Sequence, residues 1–118
     1  MNTDKSLIFF ESKTVPGSEA VVELNGSSYG RSFVFCTIPA GVTALTLTYK
    51  TSKDGTTYAE EEHAATALDI ARGLMFFPTN LNEVVKAKCV PAITGTAEKE
   101  LVCGITDAVD NAEAFYAA

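Results

Sequence analysis

The chain has 118 residues, which is room for one domain, and such a chain should bury about 65% of its unfolded surface without needing disulfide bonds. Hydrophobic residues make up 47% of the sequence and charged residues 20%, which excludes the polar, highly charged composition of a disordered chain. The formal net charge of −6 excludes nucleic acid and anionic membrane surfaces as favoured partners, because the average field of the protein repels phosphate.

The first part of the sequence predicts short strands separated by turns. Residues 6–12 are an apolar stretch of strand type, and the Val-Pro-Gly-Ser sequence at residues 15–18 ends it with turn chemistry. The apolar run at residues 7–10 is too short for a signal-peptide core or a membrane span, so we expect the protein to stay where it is made. Residues 20–24 are predicted as a second strand and residues 25–30 as a loop.

Residues 31–38 predict a longer strand with two apolar faces. Phe33 and Phe35 face one way in an alternating strand, whereas Val34 and Cys36 face the other. Such a strand must be covered twice, by an opposing sheet on one side and by a loop, a tail or another subunit on the other.

Residues 44–58 predict a β-hairpin around which the chain is organised. Leu45, Leu47 and Tyr49 alternate with polar residues, which is typical of a half-buried strand. The polar stretch that follows ends in Asp54 and Gly55, where a tight turn is favoured before the return strand.

The remaining pattern predicts further strands. In residues 59–72 alanine and glutamate favour helix between β flanks, so we expect strand pieces with one helical turn. Residues 74–78 are a buried strand in this interpretation, residues 84–91 and 100–106 are two more strands, and residues 93–97 join them as a hairpin loop.

About eight short strands separated by proline and glycine turns predict an all-β fold, a single-domain antiparallel β-sandwich of the jelly-roll type. The β-sandwich domain is assigned to residues 1–106. Residues 107–118 form a small acidic tail with two aromatic residues near its end, which is either frayed or docked.

The three cysteines predict reduced thiols in the core. Cys36, Cys89 and Cys103 are odd in number, have no Cys-x-x-Cys spacing and lie inside apolar runs. A reducing compartment fits this usage. The alternative is a cross-strand disulfide between Cys89 and Cys103.

No set of residues predicts an enzyme, a cofactor site or a metal site. His63 is the one histidine, and the three glutamates before it lack the spacing of a calcium loop, so a solvated acidic face is favoured. Turn geometry explains Asp54 better than calcium binding does. Hydrolysis by a carboxylate pair such as Glu61 with Asp69 stays open as an alternative.

The surplus of apolar surface predicts contacts with a partner or between subunits, most simply in a symmetric dimer or trimer. The alternative is that loops and the tail cover these faces within one chain. The candidate contact residues are Phe33, Phe35, Phe76, Phe77, Phe115 and Tyr116.

Five stretches between residues 31 and 106 follow one another in an order that resembles a known family. They are Pro-Ala-Gly-Val at 39–42, Leu-Thr-Leu with Thr-Ser-Lys-Asp-Gly-Thr-Thr-Tyr at 45–58, Gly-Leu-Met-Phe-Phe-Pro at 73–78, Val-Lys-Ala-Lys at 85–88, and Ile-Thr-Gly-Thr-Ala at 93–97. This series is similar to the cement, or decoration, proteins of tailed-phage heads. The chain departs from the family pattern at residues 60–71 and in its acidic tail.

The resemblance implies a jelly-roll protein that binds the outside of an assembled capsid in many copies and fastens neighbouring coat subunits. Its partner would be the major capsid protein, it would need no cofactor, and it would be made in the host cytoplasm and end on the virion exterior. The rival hypothesis is a ligand- or carbohydrate-binding β-sandwich module, such as a tail-fibre domain. The absence of tryptophan and the presence of only four tyrosines count against sugar stacking.

Overall fold

The computed structural model of the chain describes residues 8–24 and 31–107, and for residues 8–14 it describes the backbone alone. Within these residues the chain forms eight strands and one short helix. The elements are β1 (Ile8–Thr14), β2 (Ala20–Glu23), β3 (Arg31–Thr37), β4 (Val42–Ser52), β5 (Tyr58–Ala64), α1 (Ala67–Arg72), β6 (Leu74–Asn80), β7 (Lys86–Gly95) and β8 (Leu101–Thr106).

The strands form two antiparallel sheets in a β-sandwich-like arrangement. Sheet A has the strand order β1-β8-β3-β6, and sheet B has the order β2-β7-β4-β5. The pairs are nested, because β1 pairs with β8, β2 with β7, β3 with β6 and β4 with β5. The chain therefore resembles one long hairpin whose successive pairs lie alternately in the two sheets.

The predicted central hairpin is confirmed as β4 and β5. The core-facing side chains of β4 are those of the predicted alternation, since Leu45, Leu47 and Tyr49 are at most 2% exposed. In the connecting turn the Gly55 N–H donates to the Ser52 hydroxyl at 2.7 Å. The alternation and the turn chemistry together account for this hairpin.

Residues 59–72 form a strand followed by a short helix, as predicted. Helix α1 begins after Thr66, whose side chain accepts the Asp69 N–H while the Asp69 carboxylate accepts the Thr66 N–H. This reciprocal pair is a capping box. The helix ends at Arg72 with Gly73 as its left-handed C-cap, and it joins edge strand β5 of sheet B to edge strand β6 of sheet A.

The predicted hairpin loop at residues 93–97 is wrong. Strand β7 continues to Gly95, which lies opposite Val42, and β7 and β8 belong to different sheets. Pro91 does not end the strand, because its carbonyl oxygen accepts the Gly17 N–H at 2.7 Å on the side away from β4. The missing N–H of this proline faces the same side, so the ladder to β4 loses no hydrogen bond.

Apolar side chains pack on both faces of β3, as its sequence predicted. Val34 and Cys36 lie in the main core between the sheets, and Phe35 belongs to a second cluster on the other face of sheet A. All three side chains have no exposed surface. Strand β8 ends at Thr106, and the predicted tail lies outside the described residues beyond Asp107.

Candidate interaction surfaces

The outer face of sheet A carries an apolar cluster, which we call the outer apolar face. Its packed members are Phe35, Leu74, Phe76 and Val102, and Phe33 is included because it lies on the same side of β3, two residues before Phe35. Phe35 lies opposite Phe76 in the register of β3 and β6, and Phe33 lies opposite Pro78. Side chains directly opposite each other contact one another across a strand pair, which explains why the cluster is continuous.

The members of the outer apolar face differ in burial. Phe35 and Leu74 have no exposed surface, whereas Phe33, Phe76 and Val102 are partly exposed. The partly exposed side chains are the ones that keep surface for another molecule.

A guanidinium group borders this face. The Arg72 guanidinium lies 5.0 Å from the centre of the Phe76 ring, and its Nε donates to the Leu74 carbonyl at 3.1 Å. Arg72 also forms an ion pair with Asp69. Helix α1 thus holds a cation over the aromatic surface, in the geometry of a cation–π contact.

Phe77, another predicted contact residue, points into the main core. It is 8% exposed and packs edge to face against Tyr49, with ring centres 5.7 Å apart. The last two predicted contact residues, Phe115 and Tyr116, lie outside the described residues.

The three glutamates at residues 60–62 are exposed on edge strand β5, in agreement with the predicted solvation, but His63 has a different position. Its ring stacks on Phe77 with centres 3.6 Å apart, and its Nε2 lies 2.8 Å from a Glu61 carboxylate oxygen. The register explains this, because His63 lies opposite the core residue Leu47. The stack joins edge strand β5 to edge strand β6. The alternation of the hairpin was the sequence signal that could have revealed the inward direction of the His63 side chain.

One end of the sandwich is more polar than the rest of its interior. The Tyr49 hydroxyl lies 3.0 Å from Thr79 Oγ1, and burial raises the pKa of Tyr49, so the phenol is neutral. Ser32 Oγ is buried without a hydrogen-bond partner in the described part of the chain. Nearby, Arg31, Pro78, Thr79 and Asn80 line an open cleft of about 300 Å³.

The outer face of sheet B is charged, in contrast to that of sheet A. Lys50 and Lys88 lie 4.0 Å and 3.8 Å from the carboxylate of Glu19, and Lys86 lies 3.4 Å from that of Glu23. Such solvent-exposed pairs each contribute about 0–1 kcal/mol to stability. The two outer faces therefore offer different chemistry to a partner, one apolar and aromatic and the other ionic.

The three cysteines are free, buried thiols, as predicted. Cys36 and Cys103 face each other on neighbouring strands of sheet A, with sulfur atoms 3.4 Å apart. The hydrogen bond from Cys103 and burial raise the pKa of Cys36, and burial raises the pKa of Cys89. The alternative of a Cys89–Cys103 cross-strand bridge is wrong, because Cys89 lies on β7 in sheet B.

The polar residues considered for chemistry have structural contacts. Asp69 caps α1 and pairs with Arg72, while Glu61 contacts His63. The backbone N–H groups of Thr57 and Thr56 donate to the Asp54 carboxylate, each at 2.8 Å, and together with the Ser52 hydroxyl they lower the pKa of Asp54.

The described ranges 8–24 and 31–107 lack two further classes of feature. These residues contain no group of three or more histidine, cysteine or acidic side chains placed to hold a metal ion. They also contain no helix that is long and apolar enough to cross a membrane.

No family model, curated protein or solved structure matches this chain.

Proposed function

We propose that this chain is a jelly-roll cement protein, which binds the outside of an assembled viral capsid in many copies and fastens neighbouring coat subunits. The observation that carries the proposal is the nested strand order, β1-β8-β3-β6 facing β2-β7-β4-β5. A jelly roll has eight strands in two sheets, and the architecture recurs in viral capsid domains. The resemblance of residues 31–106 to phage cement proteins points to the same class.

The outer apolar face is the proposed contact surface for the major capsid protein. Phe33 and Phe76 are partly exposed there, and Arg72 lies over the Phe76 ring. Aromatic side chains and arginine are enriched where interfaces have most of their binding energy. The charged outer face of sheet B is solvated in this arrangement.

The proposed mechanism is binding linkage. A protein that binds the assembled shell and not the free coat subunits stabilises the shell by mass action. Many copies act together, since an expanding or bursting shell must break many contacts at once. The protein would be made in the host cytoplasm and reside on the virion exterior.

The direct test uses empty capsids purified from the virus that encodes the chain. Capsids loaded with the protein should burst at a higher temperature than bare capsids, and Phe76→Ser should bind them more weakly because it removes apolar contact area. Val21→Ser is the matched control, since Val21 is a 47% exposed apolar residue on a strand of sheet B. Lack of binding to the capsids, together with specific binding on a glycan array, would favour the rival carbohydrate-binding function.

Deletion of residues 107–118 tests whether the tail contributes to this binding. The segment has three acidic residues, Asp107, Asp110 and Glu113, and the aromatic pair Phe115 and Tyr116, so it could contact both basic and apolar coat surface. We expect the truncated protein to bind capsids more weakly and with a smaller dependence on salt. Equal affinity at every salt concentration would remove the tail from the mechanism.

Self-association is the second part of the proposal. If the outer apolar face also joins copies of the chain, sedimentation at micromolar concentration should show a symmetric dimer or trimer. Phe33→Ser should shift this equilibrium towards monomer. A monomeric wild-type protein would leave the face to the capsid alone.

A further inference from the structure

Cys36 and Cys103 form a pair of neighbouring thiols in the main core. They lie directly opposite each other on antiparallel strands β3 and β8, and both are completely buried. Their sulfur atoms are 3.4 Å apart. Directly opposite residues of such strands have Cα atoms about 4.5–5.5 Å apart. That separation lies within the range of about 4.4–6.8 Å that a disulfide bridges.

We propose that Cys36 and Cys103 are an oxidation site at which an intrachain disulfide forms, while Cys89 remains a thiol. The bond requires a sulfur–sulfur distance of about 2.05 Å, so the two sulfurs must approach by about 1.4 Å. Side-chain rotation with a small strand adjustment supplies such a movement, because the two backbones already have suitable spacing.

Cys89 is less favourably placed for the bridge, because it lies in the other sheet. It lies on β7, where its strand neighbours are Ala20 and Tyr49. Cys36 and Cys103 are directly opposite neighbours within one sheet and their sulfurs are already 3.4 Å apart, so a bridge between them requires less movement than a bridge from either of them to the facing sheet. The three thiols of the core therefore divide into one pair and one single thiol.

The reaction balances with a glutathione disulfide as the oxidant. The thiolate of one cysteine attacks this disulfide, forms a mixed disulfide and releases one glutathione thiolate. The thiolate of the other cysteine then attacks the protein sulfur of the mixed disulfide and releases the second glutathione. Two electrons and two protons leave the two protein thiols, and one glutathione disulfide becomes two glutathione thiols.

Burial determines when this reaction takes place. Neither sulfur has surface that an oxidant can reach, and β8 lies between β1 and β3 in sheet A. The thiols become accessible when these strands separate, so the disulfide forms during folding or in an opened molecule. Once formed, it links positions 67 residues apart and restricts the unfolded chain.

The test is refolding of the full chain from guanidinium in mixtures of reduced and oxidised glutathione. Remaining thiols are then alkylated with iodoacetamide, and the digested protein is analysed by mass spectrometry. We expect a peptide pair that joins Cys36 to Cys103, with the alkyl group on Cys89. A cross-link that contains Cys89, or three alkylated cysteines in the most oxidising mixture, would overturn the proposal.

Two further measurements separate the bridge from general effects of oxidation. The oxidised protein should unfold at a higher denaturant concentration than the reduced protein, and Cys89→Ala should keep this shift whereas Cys103→Ala should lose it. Folded protein in the same glutathione mixture should oxidise at least tenfold more slowly than refolding protein. Equal rates, or a bridged protein that is less stable than the reduced one, would contradict the geometry.

Discussion

Replacement of Gly41 with alanine should destabilise the fold by about 3–5 kcal/mol, a large fraction of the stability of a small domain. Gly41 has φ +96°, and an added Cβ would lie closer than 3.0 Å to the backbone oxygen of Thr96. Left-handed backbone costs a non-glycine residue about 1–2 kcal/mol. The backbone clash adds a second cost, because neither side of the contact is a flexible side chain.

The second cost follows from the hydrogen bonds between two turns, namely the segment that precedes β4 at residues 39–41 and the segment that follows β7 at residues 96–98. The Thr96 N–H donates to the Gly41 carbonyl at 3.1 Å, and the Glu98 N–H donates to the Ala40 carbonyl at 3.2 Å. Separation of the turns weakens both bonds, and each contributes about 1 kcal/mol. Gly95 makes the reciprocal contact, since its added Cβ would meet the Gly41 carbonyl oxygen.

Urea unfolding followed by circular dichroism gives the required free energies. Gly55→Ala is the matched control, because Gly55 has φ +87° and its added Cβ would meet nothing within 4 Å. The control should lose about 1 kcal/mol, from backbone strain alone. Gly95→Ala should resemble Gly41→Ala. If Gly41→Ala and Gly55→Ala agree within about 0.5 kcal/mol, the close approach of the two turns is not a source of stability.

Three further predictions concern a strained turn, an acidic turn and the buried thiols. Glu83 has φ +66° in a turn closed by the hydrogen bond from the Val84 N–H to the Leu81 carbonyl. Glycine adopts this backbone conformation without strain, so Glu83→Gly should raise the free energy of unfolding by about 0.5–1 kcal/mol. A loss of stability would refute the strain argument. The pKa of Asp54 is lowered in the folded state, so wild type should have a larger free energy of unfolding than Asp54→Asn. This difference should have its full size above the unfolded pKa of about 4 and should decrease as the pH falls towards 2. A difference that does not change with pH would contradict this prediction. The three cysteines are buried, so a thiol reagent should label the native protein slowly and all three positions after unfolding, whereas rapid labelling of the native protein would contradict their burial.

Several local features of the fold were predictable from the sequence. The alternation of Leu45, Leu47 and Tyr49 predicted the hairpin, and the helix-favouring residues at 59–72 predicted a helical turn between strands. The two apolar faces of β3 predicted burial on both sides of sheet A. These features depend on residues close together in sequence, where side-chain periodicity and turn chemistry act directly.

The pairing of distant strands was decided by the tertiary structure. The threonine and glycine at residues 94 and 95 are typical of a turn, yet residues 93–95 extend β7 because β4 is long enough to pair with them. Cys103 lies beside Cys36 and not beside Cys89, and His63 stacks on Phe77 at the sandwich edge. Local sequence carries little information on which sheet a strand joins, because strands of both sheets show the same alternation of apolar and polar residues. The neighbours of these residues follow from the nested order of the strands, which the chain adopts only when both sheets bury their apolar faces together.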